Sequence, residues 1–285
     1  MSERRVAFVT GASRGIGKAI ANHLARAGFD VALTARTVQD GDAYEHSSTI
    51  RKSDTRPLPG SLSSTAELVE KAGVRSLMVP ADLLDRASLG RALATVEERW
   101  GRIDVLVNNG RYVGPGHMDL IIDTPLEMLD RHLEANVMAP LVLIKHALPG
   151  MLERGGGTVI NVSSGAGQMD PPAPAGQGGW GLGYAFSKAS AYRIAGMLAI
   201  ELGSQGIRAY NLEPGFVATE RMAMDMADFG FDASAGIPPD VPGAVAAWLA
   251  TDPEAAEPNG RTVLAPEVCA DLGLLPSWTP TSQEA

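Results

Sequence analysis

The chain has 285 residues, of which 45% are hydrophobic and 20% charged, and its formal net charge is -9. This composition is typical of a globular protein with one large domain or two small ones. The negative charge disfavours nucleic acids and anionic membranes as partners, because both are negatively charged themselves. The single cysteine, Cys269, excludes an intramolecular disulfide and a cysteine-based metal cluster.

The apolar stretches are too short to predict a membrane span or a secretory signal. The run that begins at Pro140 is interrupted by Lys145, well before the roughly 20 residues that a transmembrane helix needs. Only a handful of apolar residues lie between Arg5 and Gly11, fewer than a signal peptide requires. We therefore expect a cytoplasmic protein without membrane contact.

Continuous apolar runs alternate with helical patterns along the chain. Such runs are typical of strands buried on both faces of a parallel sheet, whereas apolar residues recurring every three or four positions indicate helices. The predicted strands are 6–9, 31–35, 74–79, 103–107, 158–162, 207–212 and 261–264. The predicted helices are 15–28, a short one ending at 68–72, 87–100, 125–152 with a break near Pro140, 184–202 and 241–250. This alternation predicts an α/β fold: a single-domain Rossmann-type doubly wound parallel sheet of about seven strands, with helices on both faces.

Two long loops interrupt this alternation. Residues 37–64 are polar, lack a clear period and predict an insertion between the second strand and its helix. Residues 165–183 contain seven glycines and three prolines and predict a long loop after the fifth strand. Because strands and helices alternate again after each loop, we predict one domain over residues 1–285. We also predict a substrate lid at about 216–240.

A glycine-rich segment joins the first strand to the first helix. Gly11, Gly15 and Gly17 allow a tight turn and let the backbone approach a pyrophosphate closely. The helix that follows presents free N–H groups and a partial positive charge at its N-terminus. The segment therefore predicts a dinucleotide-binding loop; the alternative is a glycine turn without a ligand.

The residues of this loop, Thr-Gly-Ala-Ser-Arg-Gly-Ile-Gly at 10–17, resemble the signature of the short-chain dehydrogenase/reductase family. Further motifs of that family occur in the expected order between about residues 6 and 265. They are Asp82-Leu83, Asn108-Asn109-Gly110, Asn136, Asn161-Val162-Ser163-Ser164, Tyr184 with Lys188, and Asn211 to Thr219.

The resemblance implies an NAD(P)-dependent enzyme that acts on CH–OH or C=O groups. Tyr184 would be the general acid or base, Ser164 would bind the substrate oxygen, Lys188 would assist Tyr184 and bind the nicotinamide ribose, and Asn136 would hold a relay water. The implied cofactor-binding residues are Gly11, Ser13, Arg14, Gly15, Ile16, Gly17, Arg36, Asp82, Leu83, Asn109, Gly110, Tyr184, Lys188, Pro214, Gly215, Val217 and Thr219.

The residue types themselves support two of these assignments. Tyr184 and Lys188 are four positions apart and share a helix face, where the ammonium would stabilise the phenolate; the alternative is an ordinary surface pair. An NAD site places a carboxylate near the end of the second strand, but here Ala35 is followed by Arg36, with Arg14 in the glycine loop. Two guanidinium groups suit a 2′-phosphate, so we predict NADP(H) in preference to NAD(H); the alternative is two solvated arginines.

Three loops at the carboxyl ends of strands, 111–123, 165–183 and 216–240, predict the substrate pocket. Their basic residues are Arg111 and Arg221, besides His117, so we expect an apolar alcohol or ketone rather than a phosphorylated sugar. The alternative is that their apolar residues pack a lid or a subunit interface. These residues are Met118, Met169, Trp180, Phe216, Met222, Met224, Met226, Phe229 and Phe231.

Three departures from the family pattern carry predictions. Ser164 and Tyr184 are 20 positions apart, so the extra length is expected to loop over the substrate. Arg111 replaces a glycine, which predicts an altered contact near the adenine-ribose region. The insertion is expected at the adenosine end, away from catalysis. The histidines show no metal-binding spacing, so each is expected to be structural or exposed.

Two other function classes remain open at this point: a non-enzymatic NADP(H)-binding homologue with a regulatory role, and an epimerase or dehydratase. The resemblance also implies a homodimer or homotetramer.

Overall fold

Seven strands form one parallel sheet in the computed structural model, which describes residues 4–228 and 236–280. The strand order is β3-β2-β1-β4-β5-β6-β7, so the direction of winding reverses between β1 and β4. The strands are β1 (Val6–Thr10), β2 (Asp30–Thr34), β3 (Ser76–Met78), β4 (Val105–Asn108), β5 (Gly157–Val162), β6 (Ile207–Glu213) and β7 (Thr262–Leu264). This order confirms the predicted doubly wound sheet.

The continuous apolar runs arise because helices cover both faces of the sheet. In β1, Ala7 and Val9 join the core on one face, whereas Val6 and Phe8 join the core on the other, and all four are fully buried. The helices are α1 (Gly15–Arg26), α2 (Leu62–Lys71), α3 (Arg86–Trp100), α4 (Leu126–Leu133), α5 (Ala139–Glu153), α6 (Leu182–Leu202), α7 (Glu220–Asp228), α8 (Asp240–Thr251) and α9 (Ala265–Asp271). Side chains of α1, α2, α8 and α9 fill the first core, and those of α3, α5 and α6 fill the second.

The predicted break near Pro140 is a π-helical turn, Glu134–Met138, which joins α4 to α5 without a stop. Pro140 has no N–H, and its ring would clash with the carbonyl of Asn136 in a regular α-helix. The wider turn avoids this clash, and the N–H of Ala139 bonds to the carbonyl of Glu134. By length and composition alone the combined helix could cross a membrane, but Leu143 and other residues of its inner face are buried in the second core.

Two helices and the end of the insertion differ from the prediction. Helices α7 and α9 were not predicted, because each has fewer than ten residues and follows a strand or turn too closely to show a clear period. Helix α2 begins at Leu62 with a reciprocal cap between Ser61 and Ser64, so the insertion ends slightly before residue 64.

Candidate active site

A single continuous cavity of about 860 Å³ follows the carboxyl edge of the sheet across the reversal between β1 and β4. Open α/β sheets bind ligands at this position. All but one of the residues that the sequence assigns to the cofactor or to catalysis line the cavity, the exception being Asn136.

The glycine loop folds as the sequence predicts. Gly11 and Gly15 have φ values of 64° and 54°, which favour glycine. A Cβ at Gly17 would lie 2.2 Å from the Gly11 carbonyl oxygen, so only glycine fits there. The side chain of Arg14, the residue before α1, does not cap this helix. The N–H of Gly15 instead donates a hydrogen bond to the Glu220 carboxylate at 3.1 Å. Because the N-terminus of α1 already donates a hydrogen bond to a carboxylate, it can also donate hydrogen bonds to an anionic diphosphate.

Hydrogen bonds between β1 and β4 hold the floor of the cavity at the reversal point. Thr10 Oγ1 accepts bonds from the N–H groups of Asn109 and Gly110, both at 2.9 Å. The Asn109 side chain donates to the Thr10 carbonyl at 2.9 Å. The Asn-Asn-Gly motif therefore fixes the separation of the two strands between which the dinucleotide would lie.

The two arginines predicted at the adenosine end have different surroundings. Arg14 donates to the carbonyls of Pro59 and Gly60 at 2.9 and 2.8 Å, so it holds the insertion against the glycine loop. Arg36 lines the cavity with its guanidinium carbon 5.1 Å from the ring centre of Tyr44. Arg36 is therefore the better placed of the two to meet a 2′-phosphate.

Tyr184, Lys188 and Ser164 lie together at the other end of the cavity. Lys188 Nζ is 6.0 Å from the Tyr184 ring centre and donates to the Val162 carbonyl at 2.7 Å. Burial, reinforced by the positive charge of Arg111, lowers the pKa of Lys188 to about 8. An ammonium with this pKa can exchange protons near neutral pH.

The two adjacent serines have different partners. Ser163 is buried and donates to Glu213 at 3.4 Å. Ser164 accepts one long bond, 3.4 Å, from the N–H of Ala166 and lines the cavity. Ser164 is therefore the serine with a hydroxyl proton available to a substrate oxygen.

The structure does not bring Asn136 into contact with Lys188 or Tyr184. Its Oδ1 accepts from the N–H of Tyr112 at 2.7 Å, and its Nδ2 donates to Ser187 at 2.9 Å. Ser187 in turn donates to the Tyr184 carbonyl at 2.9 Å. Asn136 thus anchors the start of α6, and its proposed relay water stays a prediction.

Two cavity residues that the sequence analysis did not assign to the reacting end lie beside Tyr184. The Arg111 guanidinium carbon is 5.4 Å from the centre of the Tyr184 ring, so the side chain points to the reacting end, and the altered contact near the adenine-ribose region stays a prediction. The His117 ring centre is 4.5 Å from that of Tyr184, so this histidine packs against the predicted acid/base residue and lines the cavity. Burial lowers the pKa of His117 well below its usual range, so this imidazole is neutral. The departure of Arg111 from the family motif was the only available signal.

The insertion extends beyond the adenosine end, contrary to the prediction. We call residues 37–60 the strap. Thr49 donates its hydroxyl to Asp119, and Ser48 accepts a bond from Arg221 at 2.8 Å. Arg221 also contacts His46, which lines the cavity. The strap therefore connects the loop after β4 to helix α7 across the cavity.

The substrate half of the cavity is largely apolar. The loop 165–181 contributes several lining residues, in agreement with the prediction that its extra length covers this region. Met224 does not line the cavity, and the Met226 side chain, Phe229 and Phe231 lie outside the described residues. Within residues 4–228 and 236–280, no group of three histidine, cysteine or acidic side chains could hold a metal ion. The predicted apolar residues that do line the cavity are Met118, Met169, Trp180, Phe216 and Met222.

The family model of short chain dehydrogenases matches residues 5–67 and 59–228. The chain is 31% identical over 262 residues to a 3-oxoacyl-[acyl-carrier-protein] reductase of Synechocystis, covering 90% of this chain and 94% of that protein. It is 34% identical over 218 residues to an uncharacterized NAD-dependent oxidoreductase of Mycobacterium tuberculosis, covering 75% of this chain and 72% of that protein. A crystal structure of a short-chain dehydrogenase/reductase from Burkholderia xenovorans superposes with a TM-score of 0.74 at 26% identity, covering 91% and 94%. The chain therefore belongs to the short-chain dehydrogenase/reductase family of oxidoreductase enzymes.

Proposed function

We propose that this enzyme transfers a hydride between NADP(H) and a carbonyl or secondary alcohol of a mainly apolar small molecule. The observation that carries the proposal is the placement of Tyr184, Lys188 and Ser164 in the same cavity as the glycine loop. A dinucleotide that lies across the sheet edge from this loop would bring its nicotinamide to the tyrosine.

The protein groups supply the proton chemistry. When bound, the nicotinamide supplies or accepts the hydride. In reduction, the Tyr184 hydroxyl donates its proton to the carbonyl oxygen, and Ser164 donates a hydrogen bond to the same oxygen. Lys188, fixed by the Val162 carbonyl, stabilises the phenolate that forms and, with its pKa of about 8, returns a proton to it. In oxidation, these proton transfers run in the opposite direction.

Arg36 supports the preference for NADP(H). The end of β2 carries Ala35 where a carboxylate would bind the ribose hydroxyls of NAD, and Arg36 lines the cavity beside it. Because Arg14 is bound to strap carbonyls, the proposal depends mainly on Arg36. The curated relatives include an NAD-dependent oxidoreductase, so the preference has to be measured for this chain.

Self-association in the cytoplasm is also part of the proposal. Helix α6 exposes large apolar side chains that the described chain leaves uncovered: Phe186 at 46%, Met197 at 54% and Ile200 at 83%. Such a face fits a homodimer or homotetramer. The cytoplasmic location rests on composition alone.

The test is a panel of ketones and aldehydes with NADPH and, separately, NADH. We expect NADPH to be oxidised in a 1:1 ratio with alcohol product, read at the absorbance band of the reduced nicotinamide. An epimerase would regenerate its cofactor and show no net oxidation. Tight NADPH binding without turnover of any panel member would contradict the proposed reaction.

A further inference from the structure

Arg111 lines the cavity beside Tyr184 and has no acidic partner among the described residues. Its Nη1 donates to the Tyr112 carbonyl at 3.0 Å, and its guanidinium lies over the Tyr184 ring. In the part of the chain that the structure describes, Arg111 forms no ion pair. Its side chain is partly buried, so water compensates its charge only in part.

Four other cations that line the cavity donate hydrogen bonds or form ion pairs within the protein, whereas Arg36, at the adenosine end, contacts the Tyr44 ring and is assigned to the 2′-phosphate. Arg56 forms an ion pair with Asp54, and Arg14 donates to strap carbonyls. Arg221 contacts His46 and Ser48, and Lys188 donates to the Val162 carbonyl. Arg111 shares its kind of contacts, one backbone carbonyl and the Tyr184 ring, with Lys188, but its guanidinium has five N–H donors, and most of them stay available to a ligand at the reacting end.

The nearby acidic groups are already engaged elsewhere. Glu213 accepts a hydrogen bond from Tyr192 at 2.9 Å. Asp119 accepts bonds from Thr49 and from the N–H groups of Ile50 and Gly116. A partly buried guanidinium without a protein anion is a site for a ligand anion, and it binds carboxylates with two parallel bonds.

We propose that Arg111 binds a carboxylate of the substrate, so that the enzyme acts on oxo acids and the corresponding hydroxy acids. This inference rests on the proposed function. The carboxylate lies within a few bonds of the carbonyl carbon, because Arg111 and the acid/base residue Tyr184 are in contact. The remainder of the substrate is apolar and occupies the half of the cavity that includes Met118, Met169 and Phe216.

Atoms and electrons balance in the reaction: the carbonyl carbon accepts the hydride, its oxygen accepts the Tyr184 proton, and the carboxylate is unchanged.

The test compares 2-oxo, 3-oxo and 4-oxo acids of medium chain length with their methyl esters, which keep the carbonyl and remove the charge. We expect the wild-type enzyme to prefer one of the acids by about 100-fold in kcat/KM. Arg111→Leu should lower kcat/KM for that acid about 100-fold more than for its ester, mainly through KM. Arg111→Lys, which keeps the charge but not the forked geometry, should retain part of the preference.

Several outcomes would overturn the inference. The first is a wild-type preference for the ester. The second is an equal loss of kcat/KM for acid and ester in Arg111→Leu together with a shifted pH profile, since Arg111 would then act on Tyr184 and not on the carboxylate. An equally large loss of NADPH affinity in Arg111→Leu would assign the residue to the cofactor.

Equilibrium binding of the hydroxy acid to the enzyme with oxidised cofactor gives a readout that does not depend on turnover. We expect Arg111→Leu to weaken this binding about 100-fold, and equal affinities would overturn the inference. Turnover of esters by the wild-type enzyme, with no preference for acids, would contradict the inference and leave the proposed function intact. Absence of turnover with every compound would contradict the proposed function instead.

Discussion

The two halves of the cavity are built in different ways. The cofactor half consists of strand ends and the glycine loop, in which backbone conformation and contacts between adjacent strands set the geometry, as for Thr10 and Asn109. The substrate half consists of long loops held by side-chain contacts between distant segments, such as Thr49 with Asp119 and Ser48 with Arg221. The first half can be recognised from short local motifs, whereas the second depends on pairings that no local pattern encodes.

Tyr184 lies where the two halves meet, and its replacement should have the largest effect. Tyr184→Phe keeps the ring beside Arg111 and His117 and removes only the acidic hydroxyl. We expect kcat to fall more than about 1,000-fold, since general acid–base catalysis contributes roughly that much. NADPH affinity, measured by fluorescence titration, should change little.

The control is Tyr192→Phe on the same helix, whose hydroxyl bonds to Glu213. We expect that variant to retain most of its activity. Substantial turnover by Tyr184→Phe would assign the acid/base role to another group.

The strap should contribute to stability through its bonds to Asp119. Asp119 is fully buried and accepts bonds from three backbone or side-chain donors. Asp119→Asn turns an amide N–H₂ toward some of these donors, which leaves polar groups unsatisfied and should cost about 3 kcal/mol. We expect the melting temperature to fall by roughly 6 °C.

Asp123→Asn is the matched control, because Asp123 is 42% exposed and lies 3.4 Å from the exposed Arg51. An exposed pair of this kind contributes about 0.5 kcal/mol or less. Equal melting temperatures for the two variants would show that the strap is not held through Asp119.

Arg36 tests the cofactor half. We expect Arg36→Ala to lower the ratio of kcat/KM for NADPH to that for NADH about 30-fold, or about 2 kcal/mol, because charge-assisted bonds to a phosphate have this magnitude. Arg26→Ala, at the exposed end of α1, is a control that should leave the ratio unchanged. An equal loss with both cofactors would contradict the assignment of a 2′-phosphate to Arg36.

The same division explains how much the sequence could predict. Ser164, Tyr184 and Lys188 were found because each occupies a fixed place at the end of β5 or on α6, and the fold brings these places together. Arg111 was noticed as a departure, but its direction toward Tyr184 depends on the loop from 111 to 123. The strap was predicted to stay at the adenosine end. This prediction missed the contact of Thr49 with Asp119 and that of Ser48 with Arg221, because the partners are 70 and 173 positions apart in the chain and no local pattern shows such pairs.

His132 tests how tightly the base of the substrate half is packed. The side chain is fully buried, bonds to the Pro115 carbonyl at 3.1 Å and lies 4.8 Å from the ring of Tyr112. Burial lowers the pKa of His132 to about 4. The folded state therefore keeps this imidazole neutral at pH values at which the unfolded chain, with a histidine pKa near 6.5, binds a proton.

Stability should consequently fall as the pH decreases from about 6.5 toward 4, and His132 should contribute about 2 kcal/mol to the loss between pH 7 and 5. The free energy of unfolding can be measured with urea at pH 7 and at pH 5. We expect it to fall between these two pH values by about 2 kcal/mol less in His132→Gln than in the wild type. Some pH dependence should remain in the variant, because burial lowers the pKa of His117 in the same direction. His146→Gln, at a partly exposed site 3.1 Å from Glu97, is the control for the substitution itself. An unchanged slope in His132→Gln would mean that water reaches the imidazole, so that the packing beneath Arg111 and Tyr112 is looser than the contacts of His132 indicate.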